Sequence, residues 1–329
     1  RETKPPPTFT FITSSTPNSS VAPTPTKPIK FLSSNLASSA NIGRHLFEMS
    51  ALLELSRELH RTPVFFIEDH YHERMLMNMK SLIPGLIDHF NIVNSSTPTT
   101  LTQVDFHEKC CIFEDPKKLE NMENEHIHIK GTHFQSWKYF PHLRHELISY
   151  LKTSKSNFTG LPKSDDNRLI VCVDTKHTEL EGSGFYVADE NFILKALEFI
   201  EKKEREKSDS KIQYVLFGDD ASFSKDLLKL KFLRVNDHTS NFKTSGVIFE
   251  ESVQNILFYT SRNCDTVLIT APRSTIGWWL GYLSKGNQVY YTDIRRVEDA
   301  SGTFEPEDYF PPHWTPIRIN DENIVVESV

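Results

Sequence analysis

The chain has 329 residues, 38% of them hydrophobic, and a formal net charge of -7 at pH 7. This length and apolar content allow a sizeable buried core and favour two domains over one. The acidic balance and the lack of a polybasic block argue against nucleic acid as the main partner.

The first thirty residues are rich in Pro, Thr and Ser and poor in apolar side chains. This composition predicts a flexible stem over residues 1–30 rather than a domain. The sequence contains no apolar run near twenty residues and starts at Arg1, as an excised ectodomain would. Membrane attachment is therefore expected only through a segment that this chain lacks.

Three N-glycosylation triplets lie in polar, turn-like surroundings, at Asn18, Asn94 and Asn157. Together they favour the secretory pathway. Among the four cysteines, Cys110 and Cys111 are adjacent and Cys172 lies in an apolar run. This pattern is compatible either with buried thiols or with one or two disulfides. The sequence has no Cys-x-x-Cys spacing that would predict a zinc site.

The predicted elements begin with a helix from residue 41 onward, where apolar side chains recur at helical spacing. Residues 63–67 follow as a short buried strand, and a middle of weak periodicity comes next. Gly160, Pro162 and two Asp residues mark 154–167 as a linker. We therefore predict one α/β domain over residues 31–160 and a second over 161–329.

Beyond the linker, strands alternate regularly with helices. Strands are predicted at 169–173, 212–217, 246–249, 266–269 and 288–291. Helices are predicted at 190–204 behind the cap Asp189, from about 222, at 251–261, and at 275–283 with Gly286 as a C-terminal stop. This alternation predicts a parallel, doubly wound sheet.

Two loops are expected at the carboxyl edge of that sheet. Ser274 and Thr275 open a helix directly after a strand, where helix-start amides and small hydroxyls can hold a phosphate or a sugar nucleotide. The alternative is an ordinary N-cap at Ser274, followed by two core tryptophans. Lys176 follows the strand 169–173 and can offset the charge of a departing diphosphate, or it is a solvated lysine in a polar loop.

Two further groups of residues leave alternatives open. Asp219 and Asp220 either hold Mg2+ or Mn2+, or they cap the next helix and contact a ribose. His126, His128 and His133 lie close together in the sequence. The first two alternate along a strand, where they either begin a metal site or form a polar strand face.

Taken together, these segments resemble glycosyltransferase family 11, the GDP-fucose-dependent alpha-1,2-fucosyltransferases. Residues 41–48 (NIGRHLFE) stand where that family has G-x-G-N-Q-x-F, and 134–140 (FQSWKYF) are similar to its F-Q-S-x-K-Y-F. Residues 174–179 (DTKHTE) occupy the place of its H-x-R-R-x-D. Residues 264–265, 274–279 (STIGWW) and 308–314 complete the order, so the resemblance covers about residues 30 to 318.

The resemblance implies a GT-B fold, in which two Rossmann-like domains face each other across a cleft. The first domain would take the acceptor and the second the donor nucleotide. It also implies inverting transfer of fucose from GDP-fucose to a galactoside glycan, without a metal or other cofactor. The implied location is the Golgi lumen, as a type II membrane protein, or outside the cell. The implied partners are a nucleotide sugar and a glycan acceptor.

Site residues follow from the resemblance position by position. Lys176, aided by His177, would counter the departing diphosphate, and Glu179 would brace their loop. Donor binding is implied for a group of six residues, namely Gly43, Arg44, Asp219, Ser274, Thr275 and Gly277. The acceptor cleft is implied for Gln135, Ser136 and Lys138.

The chain also departs from the family pattern. Lys176 or His177 replaces an Arg that contacts the diphosphate, and lysine keeps the charge but loses the two-pronged contact. Asp174 replaces a His, and Arg44-His45 replace an Asn-Gln pair. These substitutions motivate a competing hypothesis, a catalytically silent paralogue that binds a glycan or a nucleotide. A transferase for another nucleotide sugar is a third hypothesis.

Overall fold

The computed structural model describes residues 28–106, 109–131, 133–154, 158–176, 178–234, 246–248, 251–296 and 304–328. Most of the predicted stem lies outside these ranges, as do Asn18, Asn157 and His177. The described strands form two sheets with helices around them. The expected α/β architecture of GT-B type, with two Rossmann-like units, is confirmed, whereas the domain boundaries themselves stay predictions.

The first sheet consists of five parallel strands in the order β3-β2-β1-β5-β4. Its strands are β1 Phe31–Ser34, β2 Thr62–Phe66, β3 Asn91–Val93, β4 Thr102–Asp105 and β5 His126–Lys130. Its helices are α1 Ile42–Glu58, α2 His70–Leu82, α3 Pro84–Ile87 and α4 Arg144–Tyr150, with 3-10 turns at Pro116–Leu119 and Trp137–Tyr139. Because the strand order reverses between β1 and β5, the loops after these two strands border a crevice.

The second sheet has seven strands in the order β12-β11-β10-β9-β6-β7-β8. They are β6 Arg168–Thr175, β7 Lys211–Gly218, β8 Gly246–Ile248, β9 Thr266–Ile269, β10 Gln288–Thr292, β11 Thr315–Ile319 and β12 Val325–Glu327. Neighbouring strands are parallel except β11 and β12. The strands β6 to β11 therefore follow the 3-2-1-4-5-6 order of a Rossmann fold, with its reversal between β6 and β9.

The described part of the second unit contains six helices, of which the four middle ones were predicted and the first and the last were not. They are α5 Thr178–Gly182, α6 Glu190–Arg205, α7 Ala221–Arg234, α8 Val253–Asn263, α9 Thr275–Leu283 and α10 Pro306–Tyr309, with a 3-10 turn at Ile294–Arg296. The prediction of Gly286 as a helix stop is wrong, because α9 ends at Leu283 with Ser284 as its cap. Gly286 instead allows a close approach, since a Cβ there would lie 1.9 Å from the carbonyl oxygen of Asp265.

The two units meet through α1 and α9. The α9 segment is apolar on nearly every side, and both of its tryptophans are fully buried, as the core alternative predicted. Phe47 of α1 packs with ring centroids 4.5 Å from Trp278 and 4.9 Å from Trp279. The indole Nε1 of Trp279 also donates a hydrogen bond to the Gly43 carbonyl at 2.8 Å. These contacts fix the first turns of the two helices side by side.

Two disulfides are present, between Cys110 and Cys111 and between Cys172 and Cys264. The second joins β6 to the residue that caps α8, with a Cα–Cα distance of 5.6 Å. Of the helices in the described ranges, none is long and apolar enough to cross a membrane.

Candidate active site

A cavity of about 370 Å³ lies where the carboxyl edges of the two sheets face each other. From the first unit it is lined by the loop after β1, the first turn of α1 and the segment after β5. From the second unit it is lined by the loops after β6 and β9 and by Phe304 and Tyr309. Both strand-order reversals therefore open onto one cavity, which is where nucleotides bind in Rossmann-like sheets.

The starts of two helices converge on this cavity. Asn41 caps α1, and its Oδ1 accepts a hydrogen bond from the Arg44 backbone N–H at 3.2 Å. Ser274 caps α9, and its Oγ accepts from the Gly277 N–H at 2.9 Å. Ser274 is thus an N-cap, as the alternative interpretation predicted, and it also lines the cavity. Two helix starts give this region a positive potential that suits a bound anion.

Three cationic side chains line the same cavity, Arg44, Lys176 and Arg273. None of the described residues in its lining carries a carboxylate. The guanidinium of Arg273 stacks over Phe304 at 4.2 Å from the ring centroid. Arg273 belongs to none of the motifs described above, although its position directly before the N-cap Ser274 places it at the helix start.

Several buried polar atoms around the cavity have no hydrogen-bond partner within the described part of the chain. They are Nε of Arg44, Nε2 of Gln135 and the hydroxyl of Tyr309. A buried donor left unpaired costs about 1–3 kcal/mol, so such atoms are rare without a reason. All three atoms can donate, which matches a ligand rich in acceptor oxygens, such as a phosphate ester or a sugar.

Asp174 lies at the end of β6, directly beneath the start of α9. Burial raises the pKa of its carboxyl to about 6, although the Ser274 hydroxyl and the charge of Lys176 act in the opposite direction. A Cβ on Gly277 would lie 2.1 Å from Asp174 Oδ2, and one on Gly43 would lie 2.5 Å from Thr275 Oγ1. These two glycines are absent from the described cavity lining, and they permit the close packing on which the cavity depends.

The predicted acceptor residues divide into two groups. Gln135 lines the cavity. The Ser136 hydroxyl donates to the Asp308 carbonyl oxygen at 2.5 Å, and Lys138 Nζ donates to Asp308 Oδ1 at 2.5 Å. Tyr309, which lines the cavity, follows Asp308 in α10. Ser136 and Lys138 therefore stabilise the position of Tyr309 through their hydrogen bonds to Asp308.

The remaining predicted site residues lie elsewhere or are not described. Asp219 is exposed at the end of β7, outside the described cavity lining, and its charge helps to raise the pKa of Asp174. Asp220 caps α7 through the Phe223 N–H at 2.9 Å, as the capping alternative predicted. Glu179 belongs to α5, but its side chain lies outside the description, as does all of His177. Asn94 is exposed just after β3.

The paired histidines of β5 form a polar strand face. His126 Nε2 and His128 Nδ1 both hydrogen-bond to the Ser33 hydroxyl of β1, at 3.0 and 2.9 Å. No group of three or more His, Cys, Asp or Glu side chains arranged for a metal ion occurs among the residues described. The hydrogen bonds of both histidines to Ser33 are what the polar-face alternative predicted.

Curated proteins of Caenorhabditis elegans are similar to most of the chain. The protein named "Putative galactoside 2-alpha-L-fucosyltransferase svh-11" is 41% identical over 300 residues, which cover 89% of this chain and 81% of that protein. "Putative glycosyltransferase C06E1.7" is 36% identical, covering 92% and 84% of the two chains. A galactoside 2-alpha-L-fucosyltransferase is 28% identical, covering 85% and 75%.

Two other comparisons add less. No protein-family model matches the chain. Among solved structures, the fucosyltransferase NodZ from Bradyrhizobium aligns with a TM-score of 0.42 and 13% identity, over 78% of this chain and 94% of that one. The assignment to a family therefore rests on the sequence relatives.

The two facing Rossmann-like sheets and the relatives that the chain matches identify a glycosyltransferase. With 41% identity to a relative of which it covers 81%, the chain belongs to glycosyltransferase family 11, the fucosyltransferases that its motifs resemble.

Proposed function

We propose that the protein transfers fucose from GDP-fucose to a galactoside glycan, forming an alpha-1,2 linkage with inversion at the anomeric carbon. The observation that carries this proposal is the convergence of two helix starts and three cations on one cavity at both strand-order reversals. The names of the C. elegans relatives motivate the fucosyl group and the galactoside acceptor.

The diphosphate of the donor would lie against the start of α9. Ser274 and Thr275 would meet its oxygens, and Lys176 and Arg273 would neutralise the charge that develops as the C–O bond breaks. Arg44 would approach it from the first unit. In this arrangement Lys176 shares with Arg273 the task that a single arginine has in the family loop, so the substitution does not remove the positive charge.

The sugar ring and the acceptor would lie toward the first unit. Gln135 Nε2 and the Tyr309 hydroxyl are the buried donors that a sugar hydroxyl or ring oxygen can satisfy. His177 and Glu179 keep their proposed roles in the loop after β6. Asp219, which lies farther from the cavity, would contact the nucleoside rather than the diphosphate.

Transfer would need no divalent metal, because cationic side chains and helix starts supply the positive charge that a metal gives in other transferases. We further propose that the protein works in the Golgi lumen or outside the cell and that it carries glycans. The exposed Asn94 is the described site that fits glycosylation.

Calorimetry with GDP, GDP-fucose and UDP-sugars, followed by transfer assays on galactosides in the presence of EDTA, tests the proposal. We expect binding of GDP and GDP-fucose and no binding of UDP-sugars. NMR of the product should show an alpha linkage formed from the beta-configured donor, which demonstrates inversion. Tight binding of GDP-fucose without transfer would identify the silent paralogue, and binding of UDP-sugars alone would identify the third hypothesis. Activity lost in EDTA and restored by Mn2+ would contradict the metal-independent mechanism.

A further inference from the structure

A hydrogen-bonded chain leads from the cavity into the core of the first unit. His133, which lines the cavity, contacts the Ser38 hydroxyl through Nδ1 at 2.9 Å. The same hydroxyl donates to Oε1 of Glu48, a fully buried carboxylate on α1. The other carboxylate oxygen, Oε2, accepts from the Ala37 backbone N–H at 3.0 Å. The loop after β1 thus holds a serine between a histidine at the cavity and a carboxylate in the interior.

The direction of these hydrogen bonds fixes the histidine tautomer. A serine hydroxyl has one proton, and Ser38 gives it to the Glu48 carboxylate. The bond between Ser38 and His133 must then be donated by Nδ1–H, which leaves the proton off Nε2. Nε2 has no hydrogen-bond partner among the residues that the structure describes, so its lone pair is the ring atom left to take a proton.

The backbone is distorted at this histidine. His133 and Phe134 have φ values of 68° and 48°, two consecutive non-glycine residues in the left-handed region. Such conformations are unfavourable and concentrate at functional sites. They occur in the segment that follows β5, which ends at Lys130, at the strand-order reversal of the first sheet. His133 lines the same cavity as Ser274, at the helix start where the donor diphosphate is proposed to lie.

The charges around this chain favour a proton that ends on the carboxylate. Burial, then the charge of Arg44, lowers the pKa of His133 to about 4, so the ring is neutral at pH 7. Burial raises the pKa of Glu48 to about 7, against hydrogen bonds from Ser38 and Ala37 and the charge of Arg44. The other cations of the cavity lining are Lys176 and Arg273. His45, also on α1, is engaged through Nε2 with the Ser39 carbonyl oxygen at 2.6 Å.

We propose that His133 is the general base that deprotonates the acceptor hydroxyl, with Ser38 and Glu48 relaying the proton into the interior. This inference rests on the proposed function. As the acceptor oxygen bonds to the anomeric carbon, the C–O bond to the diphosphate breaks and its electron pair leaves with GDP. The acceptor proton passes to Nε2, the Nδ1 proton to Ser38 Oγ, and the Ser38 proton to Glu48, which becomes a neutral carboxylic acid.

The test compares the wild type with His133→Asn and Glu48→Gln. Asparagine tolerates a left-handed backbone better than most residues, so His133→Asn removes the base without removing the turn. We expect its kcat for transfer to fall about 10²- to 10⁴-fold, the range of general base catalysis, with unchanged GDP-fucose affinity by calorimetry. His142→Ala, at an exposed histidine beyond the site, is the matched control and should keep full activity.

Glu48→Gln tests the pH dependence of kcat, which a purely structural role of Glu48 would not change. In the wild type kcat should rise with pH through about 7, because Glu48 ionises there and becomes able to receive the proton. This rising limb of the pH profile should be absent in Glu48→Gln. The inference is overturned if folded His133→Asn keeps a near-wild-type kcat, or if the limb persists in Glu48→Gln. A wild type that binds no GDP-fucose or transfers no fucose overturns the proposed function itself, which separates the two failures.

Discussion

The hydroxyl of Thr275 donates a hydrogen bond to Oδ1 of Asn41 over 2.9 Å, although the two residues are 234 positions apart in the chain. The same Oδ1 caps α1 through the Arg44 N–H, so one oxygen atom joins the start of α9 to the start of α1. Asn41 therefore links the two helix starts that line the cavity, in addition to the hydrogen bond from Trp279 to the Gly43 carbonyl. Replacement of the Asn41 side chain should affect both the stability of the fold and the binding of the donor.

We predict that Asn41→Ala lowers the free energy of unfolding by about 1–2 kcal/mol, because it removes an N-cap and a hydrogen bond between the two units. Urea unfolding followed by circular dichroism measures this change. Asn41→Asp separates the two roles, since a carboxylate still accepts both hydrogen bonds but repels a diphosphate. This variant should unfold like the wild type and bind GDP-fucose more weakly. Equal donor affinity in Asn41→Asp and the wild type would argue against a diphosphate beside this cap.

We predict that Lys176→Ala lowers kcat for transfer about thirtyfold to thousandfold, equivalent to about 2–4 kcal/mol of transition-state stabilisation. Lys176→Arg should keep or raise the rate, since a guanidinium offers the two-pronged phosphate contact that lysine lacks. Lys229→Ala, at an exposed lysine of α7, is the control. An unchanged rate in Lys176→Ala would remove Lys176 from its assigned role.

Arg273 gives an independent prediction, because its guanidinium is oriented by the face of Phe304 as well as by the loop. Arg273→Ala should weaken the binding of GDP and GDP-fucose by similar factors, on the order of ten- to a hundredfold for a lost charge-assisted hydrogen bond. Calorimetry with both ligands measures this. If guanosine alone lost as much affinity as GDP, Arg273 would contact the nucleoside rather than the phosphates.

Most of the second unit could be predicted from the sequence, although α5, α10, β11 and β12 were not. The strand β9 and the helix α9 were predicted with their observed bounds, because a fully apolar run, a Ser cap and a second apolar run follow one another without ambiguity. The first sheet was harder. Its strands β3 and β4 have only three and four residues, with at least half of their side chains exposed, so they carry no continuous apolar signal.

The candidate site was predicted only where one motif contained the residue. Lys176, Ser274, Thr275, Arg44 and Gln135 all line the cavity, and each belongs to a motif. Local sequence cannot show that Asn41 meets Thr275, because that contact depends on how two separate sheets pack. His133 was considered only as a neighbour of the β5 histidines. Its place at the cavity depends on the left-handed backbone of residues 133 and 134. The sequence could not predict this conformation, because neither residue is a glycine or an asparagine.

We predict that Gly277→Ala is strongly destabilising, because the added methyl would lie 2.1 Å from the buried Asp174 Oδ2, and neither α9 nor β6 can move without disturbing the core. The loss should reach about 1–3 kcal/mol, the usual range for overpacking. Gly182→Ala is the matched control, since nothing lies within 4 Å of a Cβ at that helical position. It should be neutral or slightly stabilising. Similar melting temperatures for the two variants would contradict the close packing at Gly277.

The last prediction concerns the pH dependence of stability at Asp174, whose pKa burial raises from the usual 3.8 to about 6. Because the folded-state pKa lies above the unfolded one, the stabilising contribution of this carboxyl is complete below about pH 4 and is lost as pH rises through about 6. Asp174→Asn does not titrate, so its free energy of unfolding should increase relative to the wild type by about 3 kcal/mol between about pH 4 and pH 8. Urea unfolding at both pH values measures this difference, with Asp226→Asn, at an exposed aspartate of α7, as the control. If the free energies of unfolding of Asp174→Asn and the wild type differ equally at both pH values, the Asp174 carboxyl has its ordinary pKa. It would then not be the buried carboxyl that its position beneath α9 indicates.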